Sequence, residues 1–337
     1  MRETILLALP LAFSLAAFGL PTQTQAQDAQ YPSRPLKILV PTSPGSGSDT
    51  VARWLGEQLT TALGQSVLIE NKPGANGVLA AMAVKQAPAD GYTLFLGTNT
   101  HMAVNPIVVK DLPYDSVKDF KFVSGIARGM MMFVAPPNTK LKTPAELVNA
   151  AKTTAKQLSV GSYTAGFQLS AAWFASVTGT QHVYVPYKGA PEVFIALMGD
   201  QLDWAVTDLI AAVPQVKTGT LKAIAVSGEK RHPDSPDVPT LKESGWPEYV
   251  NYTWTSLVIR AETPEPASAR LVETVQKILA TQGAKDFTAK IGSEPLTFPP
   301  SGNAQVSTER DRALPPHCGR RGDPAAMSAR KLLCEAA

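Results

Sequence analysis

Three polar loops of this 337-residue chain carry the residue types best suited to binding a small anion. They lie at residues 43–49, 97–101 and 161–168. Each follows an apolar run, is rich in Gly, Ser, Thr or Asn, and leads towards a helical pattern. The first residues of a helix offer unpaired backbone N–H groups and the positive end of the helix dipole, which attract anions. Two such loops facing each other would clamp an anion between two helix N-termini. Ordinary strand-to-helix turns have the same composition, so that alternative stays open.

The first loop shows this pattern most clearly. The apolar run at 36–40 predicts a buried strand, and a Pro/Gly/Ser segment separates it from apolar residues at helical spacing, beginning at Val51. Asp49 is the candidate N-cap of the predicted helix. Gly45 and Gly47 have no side chain, so a ligand can approach the main chain closely there. The segment therefore predicts a strand, an anion-binding loop and a helix.

Other chemistries receive less support from the residues. The sequence contains no G-x-S-x-G motif of a serine hydrolase, although a Ser-His-Asp triad does not depend on sequence order. The histidines His101, His182, His232 and His317 show no metal-ligand spacing, and His101 is expected to be a solvated loop residue. No Gly-Lys-Ser/Thr follows the first loop, so it is not a phosphate-binding P-loop. We expect neither a metal nor a cofactor.

The N-terminus predicts export. An apolar run at 6–20 follows Arg2, is interrupted by Pro10, and is short for a transmembrane helix. Small residues at Thr24 and Ala26 predict cleavage of a signal peptide, residues 1–26, after Ala26. The expected location is therefore the periplasm.

Composition favours a folded α/β protein with a small-molecule ligand. The formal net charge is only +3, which argues against a nucleic-acid partner. Both cysteines, Cys318 and Cys334, lie in the last 20 or so residues, so the body has no disulfide framework. Apolar strand patterns alternate with helical ones, which predicts parallel sheets with helices on both faces. Ligands of such folds bind beyond the carboxyl ends of the strands.

The chain resembles a known family over nearly all of residues 31–299. The similarity rests on several separate motifs in a fixed order: YPSRPLKILVP with the Gly-rich loop, LGQSVLIENKPGANG, APADGYTLFLGT, LPYDSVKDF, VPYKGAPE, KRHPDSPDVPTLKESG and GSEPL. These motifs are similar to those of the extracytoplasmic solute receptors of the tripartite tricarboxylate transporter system, often called Bug receptors. One departure is Ser46, where the family's loop usually has a second glycine.

The resemblance implies a type II-like periplasmic binding protein with two α/β lobes, a hinge and an interlobe ligand cleft. It implies a monomeric receptor, not an enzyme, that passes a small di- or tricarboxylate, acidic amino acid or aromatic acid to a membrane permease. A ligand-sensing partner of a membrane histidine kinase is the alternative, and a secreted serine hydrolase a weaker one. The ligand residues that the resemblance implies are Ser43, Pro44, Gly45, Ser46, Gly47, Asp49, Thr98, Asn99, Ser162, Thr164, Gln168 and Asp208.

The expected domain limits follow from the same resemblance. Lobe one takes residues 31–136 and 250–306, and lobe two takes residues 137–249. After about Asn303 the family pattern is lost, and residues 307–337 form an atypical tail. We interpret this tail as the product of a shifted reading frame, with a disordered extension as the alternative.

Overall fold

The computed structural model describes residues 31–296, which belong to one compact unit. The predicted signal peptide and the atypical tail lie outside the described residues. The strands are β1 (Leu36–Val40), β2 (Val67–Asn71), β3 (Thr93–Thr98), β4 (Phe120–Ala135), β5 (Leu158–Ser162), β6 (His182–Pro186), β7 (Trp204–Asp208), β8 (Lys222–Val226), β9 (Tyr252–Arg260) and β10 (Ser293–Pro295).

Helices connect most of these strands. They are α1 (Gly47–Leu63), α2 (Val78–Gln86), α3 (Asn105–Val108), α4 (Pro144–Thr153), α5 (Ala165–Thr178), α6 (Ala190–Met198), α7 (Leu209–Lys217), α8 (Glu265–Leu279) and α9 (Gln282–Lys290). A 3-10 turn covers Ala75–Gly77, and a π-helix covers Thr100–Val104. Helix α8 ends at Leu279. Thr281 then caps α9 by accepting a hydrogen bond from the Ala284 N–H.

The strands form one connected sheet in the order β2-β1-β3-β9-β4-β7-β5-β6, with β8 and β10 also paired to β4. We call β1, β2, β3, β9 and β10 sheet A, and β5 to β8 sheet B. The long strand β4 belongs to both sheets. Its residues 120–130 pair with β9, and its residues 131–135 pair with β7 and β8.

The prediction of parallel sheets is correct for part of the fold and wrong for the rest. β1 pairs in parallel with β2 and β3, and β5 pairs in parallel with β6 and β7. All pairs that involve β4 or β9 are antiparallel. A parallel neighbour needs a crossover that returns the chain to the same end of the sheet, usually through a helix. The chain enters β9 after residues 227–251, which contain no helix and deliver it in the opposite direction.

Alternate residues of the sheet A strands fill two cores, one on each face. Ile38 packs on one face with residues of α1 and α8, whereas Leu39 packs on the other with residues of α2. A third core covers sheet B, where Phe133 stacks on Trp204 with ring centroids 5.5 Å apart. Strands buried on both faces are continuous apolar runs, which is why the sequence identifies β1 and β3 readily.

Candidate functional site

Helix α1 begins three residues earlier than the sequence indicates. Ser46, not Asp49, is the N-cap, and Ser46 makes no side-chain bond to the first turn of its own helix. Its hydroxyl instead accepts a hydrogen bond from the Ala190 N–H at 3.1 Å. Gly45 has a φ of 85°, a left-handed conformation that lets the chain enter the helix early. The first amides of α1 are thus left without a cap from their own loop.

Asp49 holds the loop in shape from inside the first turn. One carboxylate oxygen accepts from the Gly45 N–H and from Arg53 Nε, each at 2.9 Å, and the other accepts from Asn71 Nδ2 at 2.9 Å. Burial alone would raise the pKa of the Asp49 carboxyl, but the bonds from Arg53, Gly45 and Asn71 hold that pKa below its usual value. Asp49 is therefore ionised and stabilises the loop, and both of its carboxylate oxygens accept hydrogen bonds from the protein itself.

The outer part of the first loop contacts α6 and its preceding turn. Ser43 Oγ donates to Glu192 Oε1 at 2.6 Å, and the Ser43 N–H donates to the Lys188 carbonyl at 3.2 Å. Together with the Ser46–Ala190 bond, these contacts connect sheet A loops to a sheet B helix. The hydroxyls of Ser43 and Ser46 therefore link the loop before α1 to α6.

Asp208 is placed at the start of two helices at once. As the N-cap of α7 it accepts from the Ala211 N–H at 2.8 Å, and across the cleft it accepts from the Gly47 N–H, the first amide of α1, at 3.2 Å. The Tyr163 hydroxyl donates to the same carboxylate. Burial raises the pKa of the Asp208 carboxyl, whereas the bonds from Tyr163, Ala211 and Gly47 act in the opposite direction. Burial and the nearby Asp208 charge together raise the pKa of the Tyr163 hydroxyl well above its usual value.

The N-terminus of α5 faces the end of β3. Thr164 is the N-cap, and its hydroxyl accepts from the Phe167 N–H at 3.4 Å. The Thr100 hydroxyl donates to Thr164 Oγ1 at 3.1 Å, which joins the loop after β3 to the first turn of α5. Gly166 lies so close to Thr100 that a side chain there would collide with the threonine hydroxyl. The second and third polar loops therefore meet directly.

A small cavity of about 30 Å³ lies where these elements converge. It is lined by the first turns of α1 and α5, the ends of β3 and β7, and one face of β9. The lining residues are Gly47, Ser48, Thr98, Thr100, Tyr163, Thr164, Phe167, Asp208, Ile210, Thr253 and Thr255. A second cavity of about 20 Å³ lies beside it, lined by Val51, Ala127, Gly129, Met130, Asp208, Ile210, Thr253, Trp254, Thr255 and Ser293. The two cavities share Asp208, Ile210, Thr253 and Thr255.

The structure brings four of the predicted ligand residues to the first cavity, namely Gly47, Thr98, Thr164 and Asp208. The others lie around it. Ser43, Ser46 and Asp49 make the loop contacts described above, and Asn99 Oδ1 accepts from the Thr253 hydroxyl at 2.9 Å. Pro44 and Gly45 are exposed, Ser162 is buried at the end of β5, and the half-buried Gln168 lies one turn into α5. These eight residues do not line either cavity.

Seven residues of the first cavity are not among the predicted ligand residues. Ser48, Thr100, Tyr163 and Phe167 nevertheless lie within the three predicted polar loops. Thr253 and Thr255 alternate along β9, and two hydroxyls on one face of an otherwise apolar strand were the available signal. Ile210, the second residue of α7, has no feature in the sequence that distinguishes it from a core residue.

His101 is buried, so the expectation of a solvated loop histidine is wrong. The Thr98 N–H donates to His101 Nδ1 at 3.1 Å, and burial lowers the pKa of the imidazole to about 3. Gly77 is packed against the opposite nitrogen, Nε2, where a Cβ has no room. All five residues of the π-helix at 100–104 are buried, and His101 is one of them. His101 is therefore a neutral packing residue.

The polar groups around the first cavity are backbone amides, hydroxyls and the Asp208 carboxylate. The described part has no group of three His, Cys, Asp or Glu residues arranged to hold a metal ion. None of its helices combines the length and the apolar character required to cross a bilayer. Backbone amides at two helix N-termini and threonine hydroxyls converge on one enclosed space. Such a set suits a small anion without chemical conversion.

Comparison with known proteins identifies the chain. The family model TctC, described as "Tripartite tricarboxylate transporter family receptor", matches residues 51–310. A curated relative from Agrobacterium vitis, the UPF0065 protein in the TAR-I ttuE-ttuC' intergenic region, is 34% identical over 85% of this chain and 83% of its own.

Solved structures agree with the sequence match. R. palustris Rpa4515 with adipate is 28% identical, has a TM-score of 0.81, and covers 89% of this chain and 98% of its own. MatC (Rpa3494) from Rhodopseudomonas palustris with bound malate is 26% identical, with a TM-score of 0.77 and coverage of 90% and 100%. The predicted fold class, a mixed α/β periplasmic binding protein of the type II-like kind, is confirmed, as is the non-enzymatic class. The chain belongs to the TctC, or Bug, family of solute-binding receptors of tripartite tricarboxylate transporters.

Proposed function

We propose that this chain is an exported periplasmic receptor that captures a small carboxylate between the N-termini of α1 and α5 and delivers it to a tripartite tricarboxylate permease. The observation that carries the proposal is the first cavity. Gly47 and Ser48 from the start of α1 and Thr164 and Phe167 from the start of α5 line the same 30 Å³ space. Helix N-termini attract anions through unpaired amides and the dipole. Solved relatives with adipate and with malate support the carboxylate class.

The proposal divides the molecule into two lobes at the limits expected from the sequence. Residues 31–136 and 250–306 form lobe one, and residues 137–249 form lobe two. The change of partner along β4, from β9 before residue 131 to β7 and β8 after it, supports this division. The cleft then lies between the loops of sheet A and those of sheet B, where Asp208 meets Gly47 and Thr164 meets Thr100.

Capture requires the lobes to separate. A cavity of about 30 Å³ holds one or two water molecules, since a single water needs at least ~10–15 Å³ measured in the same way. An organic acid is larger than that, so the described state is a closed one. The bonds at Ser43, Ser46, Gly47 and Thr100 must open together to admit a ligand. Ligand binding then shifts the population between open and closed states by its differential affinity for them.

A thermal-shift panel on the protein lacking residues 1–26 tests this function. The panel contains dicarboxylates, tricarboxylates, acidic amino acids, and aliphatic and aromatic monocarboxylates. A ligand at 100 times its dissociation constant adds about 2.7 kcal/mol to the unfolding free energy, enough to raise the Tm by several degrees. We expect at least one carboxylate to do so, while matched amides and alcohols do not. A cooperative melt that no carboxylate shifts would refute the proposed function.

A further inference from the structure

Asp208 is the charged residue of the cleft. It lines both cavities, and the other lining residue with a titratable group is Tyr163, whose hydroxyl already donates to Asp208. Within residues 31–296, no Lys, Arg or His lines either space. Two arginines close in sequence to lining residues form ion pairs with other carboxylates. Arg53 pairs with Asp49 at 2.9 Å, and Arg128 pairs with Glu294 at 2.7 Å. The charge that the cleft itself contributes is therefore negative.

The two cavities differ in what they offer a ligand. The first has a largely apolar lining, but that lining includes the N-terminal residues of α1 and α5 and the hydroxyls of Thr98 and Thr100. The second is mostly apolar, lined by Val51, Ala127, Met130 and Trp254 among others. Because they share Asp208, Thr253 and Thr255, a ligand that fills both places its anionic group among the donors. Its other end then lies against the apolar wall of the second cavity, and Asp208 lies where the two cavities meet.

The Asp208 carboxylate has accepting capacity left. Oδ2 accepts from Gly47 and Tyr163, whereas Oδ1 accepts only from Ala211. An ionised carboxylate offers about four lone-pair sites, so one site on Oδ1 stays open to a donor. A hydroxyl or an ammonium group satisfies that site. A second carboxylate does not, because two carboxylates in a buried place without a cation repel each other.

We propose that this receptor selects monocarboxylates whose far end carries a hydrogen-bond donor, and that Asp208 makes it discriminate against dicarboxylates. The inference rests on the proposed function, since it names the ligand class for the same cleft. It departs from the ligands named for the two solved relatives, adipate and malate.

The test compares the affinities of four acids that have the same carbon-chain length, measured by isothermal titration calorimetry. The chain length is that of the tightest binder in the thermal-shift panel. For four carbons the series is succinate, 4-hydroxybutyrate, 4-aminobutyrate and butyrate. We expect the better of the two donor-bearing acids to bind at least tenfold more tightly than the dicarboxylate. The hydroxy and amino members distinguish a neutral donor from a cationic one.

The variant Asp208→Asn tests whether Asp208 causes the preference for donor-bearing acids over the dicarboxylate. Asparagine keeps an oxygen that caps α7 but removes the charge. We expect the donor-over-dicarboxylate ratio to fall at least tenfold. The control Asp203→Asn removes a charge in the turn before β7, where the carboxylate accepts from the N–H and hydroxyl of Ser159 outside the cleft. We expect this control to keep the wild-type ratio.

The outcomes separate the two proposals. If the dicarboxylate binds wild type as tightly as both donor-bearing acids, the inference is wrong while the carboxylate receptor stands. An Asp208→Asn variant that retains the wild-type ratio also overturns it. If no carboxylate binds at all, the proposed function fails and the inference fails with it. Should Asp208→Asn not fold, the wild-type ratio alone decides.

Discussion

Gly47 is the position where a single added carbon should prevent closure of the cleft. A Cβ on Gly47 would lie 2.6 Å from Cγ of Asp208, whereas carbon atoms pack at about 3.5–4.0 Å. Gly47→Ala therefore forces the Asp208 carboxylate away from the first amide of α1. The helix itself tolerates the change, since alanine is a better helix former than glycine. The substitution should act on the closed state and spare the fold.

The expected loss of closed-state stability has two contributions, overpacking and a weakened hydrogen bond. Overpacking a tight site costs about 1–3 kcal/mol, and a hydrogen bond to a charged group contributes about 1.5–3 kcal/mol. If partial relaxation leaves only about 2 kcal/mol, the closed state is disfavoured about 30-fold, because about 1.4 kcal/mol corresponds to a factor of ten. A ligand that binds the closed state then loses affinity by the same factor.

Calorimetric titration with the best acid of the panel measures this loss. Gly283→Ala is the matched control. Gly283 also lies in the first turn of a helix, α9, but the nearest atom to a Cβ added there is Thr281 Oγ1 at 3.9 Å. We expect both variants to melt within a few degrees of wild type, and only Gly47→Ala to bind about 30-fold more weakly. Binding within twofold of wild type in Gly47→Ala would refute the closure geometry.

Two further predictions concern stability. Thr143→Ala removes the capping box in which Thr143 and Glu146 bond each other's backbone N–H. We expect the unfolding free energy to fall by about 1 kcal/mol and the Tm by about 2–4 °C, while ligand affinity stays unchanged. The control Thr143→Ser keeps the cap and should keep the wild-type Tm. Acid should destabilise the fold through two histidines, because burial lowers the pKa of His101 to about 3 and that of His182 to about 4. Each stays neutral when folded but gains a proton when unfolded below about pH 6.5. Stability is therefore complete above that pH and falls by up to about 1.4 kcal/mol per pH unit for each residue as the pH drops towards those values. Urea unfolding between pH 7 and pH 5 measures this slope, and constant stability over the range would contradict the assignment of two buried neutral rings.

The local parts of the fold could be predicted because they are encoded in short segments. β1 and β3 are apolar runs buried on both faces, and the capping box at Thr143 marks the start of α4 within four residues. The first half of β4 escaped prediction because Ser124, Gly125 and Gly129 interrupt its apolar pattern. Register shifts along its pairing with β9 accommodate these residues in the structure. The β-propensity of individual residues does not reveal a strand that is stabilised mainly by pairing with neighbouring strands.

The site was predictable at the level of loops and not at the level of atoms. Composition placed Gly47, Thr98 and Thr164 at strand ends, where a sheet brings loops together. Asp49 looked like the better cap because its side chain suits that role, but the left-handed turn at Gly45 moves the helix start to Ser46. The pairing of Asp208 with Gly47 joins residues 161 positions apart, a contact that no local pattern contains.

The position of β9 constrains the order in which the molecule can form. β9 lies between β3 and β4 in the sheet, yet more than 150 residues separate β3 from β9 along the chain. The edges of β3 and β4 that face β9 have no strand to pair with until residues 252–260 are present and in place. Native pairing at the centre of the sheet is thus one of the last events of folding. Long-range closure of this kind makes folding slow, which gives the nascent chain time in a form without its central strand.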